Sequence, residues 1–365
     1  MNYFFCVALG LLLVTSSLPL MADEQEYSLT EKLVLIVNGK DPESKRIADY
    51  YQQKRNIPDE NIIVVEFSPE LTQLNKTEFQ RIYRQVIEST PKHVQFYALA
   101  WRKTFRVGCM SITSAFAFGF DEKYCANGCK PTEPSSYFNS ESRAPYDDFK
   151  LRPTMMLAGS SIEQVFAMID RGVRSDGLHP DGTAYLLSTT DKDRNTRAQF
   201  YSQVIVALGQ YIKIQQMNAD KLENKDDVMF YFTGLKYAEN IDTNQFMDGA
   251  MADHLTSAGG ILTGSLKMNL LRWLDSTEVF PASSQMSLLR WLDAGATASF
   301  GAVVEPCNFV NKFPHPGVAM AHYIRGESLI EAYWKSVAWP GQGLFVGEPL
   351  ASPYVKSHTK QEEIQ

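Results

Sequence analysis

The chain alternates between short apolar runs and longer amphipathic segments. The first run, KLVLIVNG at 32–39, is apolar almost throughout, as expected of a strand buried on both faces of a sheet. Similar runs predict further strands at 61–67, 93–101, 182–190, 227–234 and 296–306, and GLFVGEPLASPY near the carboxyl terminus predicts a short edge strand.

The segments between these runs predict helices. Asp41 is a candidate N-cap followed by Pro42, and Asn75 with Glu78 predicts a second capped helix. Strands that alternate with helices form parallel sheets with right-handed crossovers. We therefore expect a doubly wound α/β domain with a mainly parallel sheet, whose ligands bind beyond the carboxyl ends of the strands.

The alternation stops between residues 102 and 152. This stretch is rich in Gly, Ser, Pro and aromatic residues, and a structureless insertion of this length is usually functional or tied down. The cysteines within it could tie it. We expect a single domain over 23–355 with this insertion, followed by a frayed tail at 356–365.

The amino terminus has the layout of a secretory signal peptide. Residues 1–22 carry no charged side chain, contain an apolar run at 4–13, and end in Ala22 before Asp23, although a Lys or Arg near the start is missing. The alternative, a membrane anchor, fits less well because the apolar run is shorter than the roughly 20 residues that span a bilayer. We expect a periplasmic or secreted protein with no membrane span after cleavage.

The cysteine count agrees with export. Loss of Cys6 with the signal leaves Cys109, Cys125, Cys129 and Cys307, an even number that predicts disulfides with three possible pairings. A local bridge between Cys125 and Cys129 is one option. A four-cysteine zinc site is the alternative, disfavoured because no CxxC pair occurs.

The net charge limits the classes of partner that we expect. A formal charge of −7 argues against nucleic acid and anionic membrane surfaces, so we expect an unidentified peptide or small-molecule ligand. No phosphate-binding loop is present, and we expect no cofactor. A cation such as calcium could bind acidic residues of the insertion, but their spacing is irregular and we predict no metal site; these residues are Asp121, Glu122, Asp147 and Asp148.

GAMADHLTSAGG, at 249–260, is a candidate catalytic segment. Asp253, His254 and Ser257 have the side chains of an orienting acid, a base and a nucleophile, and on a helix His254 and Ser257 would share a face. A structural alternative is stronger, since triads usually draw their members from separate elements. In that alternative the hydroxyl groups make local hydrogen bonds and Gly259-Gly260 ends the helix.

A second candidate pairs His254 with Cys307, 53 residues downstream and just beyond a predicted strand. This order is found in caspase-like peptidases, where a nearby imidazolium lowers the pKa of the thiol. Pro306 before the cysteine and the expected disulfides argue against it.

The segment EPCNFVNKFPHP, at 305–316, is a candidate binding cleft. Glu305 and His315 could act as acid and base or bind a metal, and Asn38 ends another predicted strand. The structural alternative is a rigid loop shaped by its prolines.

One internal repeat is present. LLRWLD occurs at 270–275 and again at 288–293, and 265–275 matches 283–293 at eight of eleven positions. The match is too short for a solenoid. It predicts a local tandem duplication that adds one short helix.

Several stretches together resemble a family of exported bacterial proteins without an assigned activity: LVLIVNGKDPESKRIADYYQQKRNIPDENII, DGTAYLLSTTDKDRNTRA, ADHLTSAGG, LRWLDAGATASFGAVVEPCNF and ESLIEAYWKSVAWPGQGLFVGEPL. That family is distantly similar to gingipain-type cysteine peptidases. The resemblance implies a caspase- or gingipain-like fold, with a flavodoxin-like sheet as the alternative.

The same resemblance places Leu235 at the position of the catalytic histidine and Thr256 or Ser257 near that of the catalytic cysteine. It therefore implies a degenerate relative that acts as a binding or scaffold protein. The alternative is an exported peptidase-like hydrolase that uses His254 with Ser257 or Cys307. The hydrolase needs a histidine within hydrogen-bond reach of Ser or Cys in an open cleft, whereas the binding protein would bury and bond it.

Overall fold

The computed structural model describes residues 27–356 except 127, 263–284 and 306. Its strands are β1 (Leu33–Asn38), β2 (Ile62–Val65), β3 (Gln73–Leu74), β4 (Phe96–Leu99), β5 (Arg106–Val107), β6 (Met110–Ser111), β7 (Thr154–Met156), β8 (Thr183–Ser188), β9 (Lys213–Asn218), β10 (Val228–Thr233), β11 (Phe246–His254), β12 (Ala298–Ala302) and β13 (Gly343–Gly347). Its α-helices are α1 (Pro42–Arg55), α2 (Lys76–Ser89), α3 (Ile112–Phe118), α4 (Pro145–Phe149), α5 (Ile162–Ser175), α6 (Tyr201–Leu208), α7 (Leu289–Asp293), α8 (Pro316–Ile324) and α9 (Leu329–Lys335).

Ten strands form one sheet in the order β2-β1-β4-β7-β13-β12-β11-β10-β8-β9. The neighbours from β2 to β7 pair in parallel, as do those from β12 to β9, while β13 lies antiparallel to β12. Helix α5 packs against both α1 and α7, and α8 packs against both α6 and α9. The predicted doubly wound, mainly parallel α/β class is confirmed.

Local sequence signals account for the regular elements. All six residues of β1 are buried, as its unbroken apolar run requires. The side chains of Asp41, Asn75 and Ser161 accept the backbone N–H groups that open α1, α2 and α5. Such caps satisfy donors that have no partner within the helix.

The carboxyl-terminal strand is central, so the predicted edge strand is wrong. All five residues of β13 are buried between β7 and β12, and the sheet ends instead at β2 and β9. An apolar run shows that a strand is buried, but its neighbours are set by contacts between distant parts of the chain.

The insertion is folded rather than structureless. It contains α3, which has six buried residues, and β5 and β6, which form a small sheet with β3. Ser111 and Thr113 donate hydrogen bonds to the carbonyl of Gly343 at the start of β13, at 2.5 and 3.1 Å. These bonds fix the insertion against the centre of the sheet.

Both disulfides involve the insertion. One joins Cys109 to Cys125 within it, and the other joins Cys129 to Cys307 beyond β12. The prediction that all four cysteines are bridged is confirmed. The local Cys125–Cys129 bridge and the zinc alternative are wrong.

Three predictions fall on residues outside the described ranges: the signal peptide at 1–22, nearly all of the tail, and the first repeat copy at 270–275. The second copy forms α7. Across the described residues, no helix has both the length and the apolar character needed to cross a bilayer.

The two disulfides should differ in their contribution to stability, because the closed loops differ in length. Sequence separations of 178 and 16 residues predict losses of unfolding free energy of about 5 kcal/mol for Cys129→Ser with Cys307→Ser and about 3 kcal/mol for Cys109→Ser with Cys125→Ser. Urea unfolding of both double variants measures this, each serving as the control for the other. The reverse order would contradict the assigned pairing.

Candidate functional site

The candidate residues gather where strands β10, β11 and β12 end. His254 is the last residue of β11 and pairs in register with Thr233, the last residue of β10, while Glu305 follows β12. His254 therefore lies on a strand, whereas the sequence pattern favoured a helix for this segment. On a strand, neighbouring side chains point to opposite faces, so Asp253 and His254 enter different layers of the fold.

His254 is fully buried and both of its ring nitrogens are hydrogen-bonded. The indole N–H of Trp291 donates to Nδ1 at 2.9 Å, and Nε2 lies 3.0 Å from the carbonyl oxygen of Met286. Because Nδ1 accepts, Nε2 must carry the proton and donate. Burial lowers the pKa of His254 to about 4, although the Met286 bond opposes this shift. The imidazole is therefore neutral and has no lone pair left for a substrate.

Asp253 lies on the opposite face, buried beside Arg197. The two side chains form an ion pair, and Arg197 also donates to the carbonyl of Thr233 at 2.6 Å. Burial raises the pKa of Asp253 to about 6, and the guanidinium opposes that change. Within the described chain, Asp253 Oδ2 and Arg197 Nε have no hydrogen-bond partner. Asp253 thus stabilises Arg197 rather than orienting His254.

Ser257 is hydrogen-bonded to an amide rather than to a histidine. Its Oγ accepts from Nε2 of Gln285 at 2.9 Å. Oε1 of the same glutamine accepts from the Thr256 hydroxyl at 2.7 Å and from the Ala258 backbone N–H at 2.8 Å. Ser257 follows His254 closely in the sequence, but its hydroxyl is bonded to Gln285 and the ring of His254 to Trp291 and Met286.

Cys307 is bonded to Cys129, so the structure gives it no free thiol. The Cys307 backbone N–H donates to Glu305 at 3.0 Å, and the Asn308 backbone N–H also donates to this carboxylate. Lys312 Nζ lies 3.3 Å from Glu305, and both side chains are buried. Glu305 therefore organises its own loop.

His315 and Asn38 also have structural partners. His315 caps α8, its Nδ1 accepting from the Val318 N–H at 3.3 Å, and its ring packs against Phe200; burial lowers its pKa. Asn38 joins the ends of β1 and β2 through Phe67. Four strands separate β1 from β11, which places Asn38 about 24 Å from His254. The predicted cleft does not form around these residues together.

Three of the four acidic candidates of the insertion have separate partners. Asp121 caps a short helical turn, Glu122 pairs with Lys76, and Asp147 accepts from Gln95. Among the residues that the structure describes, no three His, Cys, Asp or Glu side chains lie together as metal ligands.

The polar groups that do share this edge form a surface, here called the carboxyl-end surface, of the half-buried residues Asp191, Arg194, Ser257 and Asn308 together with Thr256, which is itself buried. Arg194 donates to Asp191 at 2.9 Å and to Thr256 at 3.1 Å, and Asn308 donates to the carbonyl of Asp193. Three loops thereby come together with donors and acceptors that face solvent.

Sequence reasoning did not identify Arg197, Gln285 or Trp291 as part of this region. Arg197 is a nearly fully buried arginine in a segment that the pattern marks as an ordinary amphipathic helix. Trp291 lies in the repeated LLRWLD segment, whose tryptophan was the available signal for a buried partner.

No protein-family model matches the chain, and no curated protein matches it. Two solved structures resemble it. One is the Arg-specific cysteine proteinase gingipain R, at 12% identity and a TM-score of 0.45; the other is described as a protease, at 11% and 0.44. Each alignment covers 90% of this chain and 79% of the other. Likenesses this weak identify neither a family nor an activity.

Neutrality of His254 should make stability depend on pH. Its pKa in the folded protein, about 4, lies below its value of about 6.5 when unfolded, so the unfolded chain binds more protons as the pH falls between them. Wild type should lose about 3 kcal/mol more than His254→Gln between pH 7 and pH 4.

Urea unfolding at a series of pH values measures the difference. His179→Gln, which removes an exposed histidine, is the matched control and should follow wild type. Parallel curves for wild type and His254→Gln would show that the ring is not held neutral.

Proposed function

We propose that this chain is an exported binding or scaffold protein, in which the residues that resemble a peptidase site hold the fold together. The observation that carries the proposal is the state of His254, which is buried, neutral and bonded at both nitrogens. A general base needs a free ring nitrogen within reach of the proton it removes.

The other candidate nucleophiles support the same proposal. Cys307 is half of a disulfide, and Ser257 is bonded to Gln285. For the alternative, a peptidase-like hydrolase, His254 would have to break its bonds to Trp291 and Met286. The buried indole N–H and carbonyl would then lose their partners, at a cost of about 1–3 kcal/mol each.

Export is supported by two independent features. The first 22 residues have the layout of a signal peptide, and both disulfides are bonds of oxidising compartments. The predicted span of the mature domain, 23–355, is part of this proposal.

The carboxyl-end surface is the proposed binding surface. It lies beyond the carboxyl ends of parallel strands, where ligands of open α/β sheets bind, and it presents Arg194, Ser257 and Asn308. These donors and acceptors suit the polar backbone of a peptide or a small polar molecule. The net charge of −7 disfavours nucleic acid.

Covalent labelling separates the two functions. The folded, non-reduced protein is treated with a fluorophosphonate and with iodoacetamide and then weighed intact. We expect no adduct at Ser257 or Cys307, the same result as for Ser257→Ala and for the control Ser202→Ala. A fluorophosphonate adduct on Ser257 that disappears in His254→Gln would establish the hydrolase instead.

The same preparations test binding. Phage-displayed random peptides are selected on wild type and counted on Arg194→Ala. Peptides that bind wild type and lose binding on the variant support the carboxyl-end surface; equal binding to both proteins contradicts its role.

A further inference from the structure

The two edges of the ten-stranded sheet differ in how their outward backbone groups are bonded. At the β2 edge, the side chain of Gln85 on α2 donates to the carbonyl of Val64 at 2.8 Å. One turn earlier on the same helix, Arg81 donates to the carbonyl of Glu66 at 2.7 Å. Helix α2 thereby covers the unpaired edge of the sheet, which is one of the ways in which proteins prevent edge-to-edge pairing.

The opposite edge, at β9, has no corresponding helix. The two halves of the sheet have the same strand order, β2-β1-β4-β7 in one and β9-β8-β10-β11 in the other. In the first half α2 lies in the chain between β2 and β4, whereas in the second half residues 219–227 join β9 to β10 without a helix. The link that could cover β9 as α2 covers β2 therefore leaves the edge open.

Alternate residues of β9 direct their backbone groups away from the sheet. The Ala219 N–H donates to the carbonyl of Ser188 at 3.0 Å, so the odd-numbered residues face β8. The N–H and C=O groups of Ile214, Gln216 and Asn218 therefore point outward. Within the part of the chain that the structure describes, these outward groups have no hydrogen-bond partner.

The sequence of β9 suits specific pairing with another strand. The strand has six residues, contains no proline, and pairs with β8 without irregularity. Its side chains are mostly polar, so it is not the flat apolar edge that aggregates. Val206 and Tyr211 are the most exposed large apolar side chains of the described residues, and they lie on and just after α6, which packs against β9. The open edge is thus accompanied by exposed apolar surface.

The outward groups of β9 match those of a second copy related by a two-fold axis. If Gln216 of each copy lies opposite Gln216 of the other, antiparallel pairing places Ile214 of one copy opposite Asn218 of the second copy. Residues that face each other in this way exchange two hydrogen bonds, so every outward group of both strands is used. A two-fold contact of this kind closes at two chains.

The side chains of β9 are complementary in the same register. Lys213 opens the strand and Asp220 follows its end, and both are exposed. Antiparallel pairing places the positive start of each strand beside the acidic end of the other. Gln216 lies on the two-fold axis, where each of two carboxamides can donate to and accept from the other. These features favour a second copy over an unrelated strand.

We propose that β9 is a dimerisation strand, through which two copies of this chain pair antiparallel over residues 214–218 and join their sheets edge to edge. Because the paired strands run in opposite directions, the carboxyl-end surfaces of the two copies face opposite ways. The dimer thereby presents two such surfaces on one rigid sheet. Dimerisation stands independently of whether the carboxyl-end surface binds a ligand.

Sedimentation velocity of the full-length chain, from about 1 to about 100 μM, measures the dimer. We expect the mass of wild type to double as the concentration rises. Gln216→Lys places two like charges opposite each other on the axis and should raise the dissociation constant about tenfold or more. Gln80→Lys is the matched control, since Gln80 is exposed on α2 at the other edge of the sheet, and it should dimerise like wild type.

Disulfide trapping tests the register in chains that carry Cys6→Ser. In the proposed pair the Cα atoms of the two Gln216 residues lie about 5.5 Å apart, within the span of a disulfide. Gln216→Cys should therefore form an intermolecular disulfide under mild oxidation. Asn218→Cys is the matched control, because its two copies lie about 14 Å apart along the strands. A mixture of Ile214→Cys with Asn218→Cys should form the mixed dimer.

Three results would overturn the proposal. The first is a wild type that stays monomeric over the whole concentration range, and the second is a dimer that Gln216→Lys leaves intact. The third is equal trapping of Gln216→Cys and Asn218→Cys, which would show random collision. If wild type is monomeric and the peptides selected on it lose binding on Gln216→Lys, the edge accepts an extended segment of another protein, and a second copy is ruled out as its occupant.

Discussion

Buried polar side chains at the end of β11 need polar partners, and this requirement organises the surrounding structure. Consecutive residues of a strand face opposite layers, so Asp253 and His254 bring a polar side chain into the core on each side of the sheet. Arg197 forms an ion pair with the carboxylate on one face, and Trp291 donates a hydrogen bond to the imidazole on the other. Each pair fixes its own layer to the sheet.

The same requirement explains why residues with catalytic side chains do not form a catalytic site. A histidine acts as a base when one nitrogen is oriented and the other is free. In this protein both nitrogens of His254 are engaged by the segment that precedes and forms α7. The loops around it are held in turn by Gln285, by Glu305 and by the Cys129–Cys307 bridge.

Local features of the fold could be predicted from the sequence, and features that depend on distant contacts could not. The apolar run of β1 and the caps Asp41 and Asn75 act within a few residues, so their pattern is sufficient. The central position of β13 depends on β7 and β12, which come from separate parts of the chain. The segment 249–260 was interpreted as a helix end, whereas its first residues complete β11; their small and charged side chains lack the β-branching typical of strands.

The candidate site shows the same division. Residue type and spacing identified His254, Ser257 and Cys307 as candidates. They also defined two possible outcomes: a histidine beside a nucleophile in an open cleft, or a histidine that is buried and hydrogen-bonded. Which outcome applies depends on Trp291 and Cys129, which lie 37 and 178 residues away from their partners. Spacing alone does not show such pairings, because side chains meet through the fold.

The central claim is that His254 is a neutral, structural side chain, and ring ¹⁵N and ¹³C NMR of the folded protein with labelled histidine tests it most directly. The account predicts a single neutral tautomer protonated at Nε2, unchanged as the pH falls from 8 to about 5, with His254→Gln assigning the signal. A ring that titrates near pH 6.5, or one protonated at Nδ1 with Nε2 free, would contradict the account and restore His254 as a candidate base.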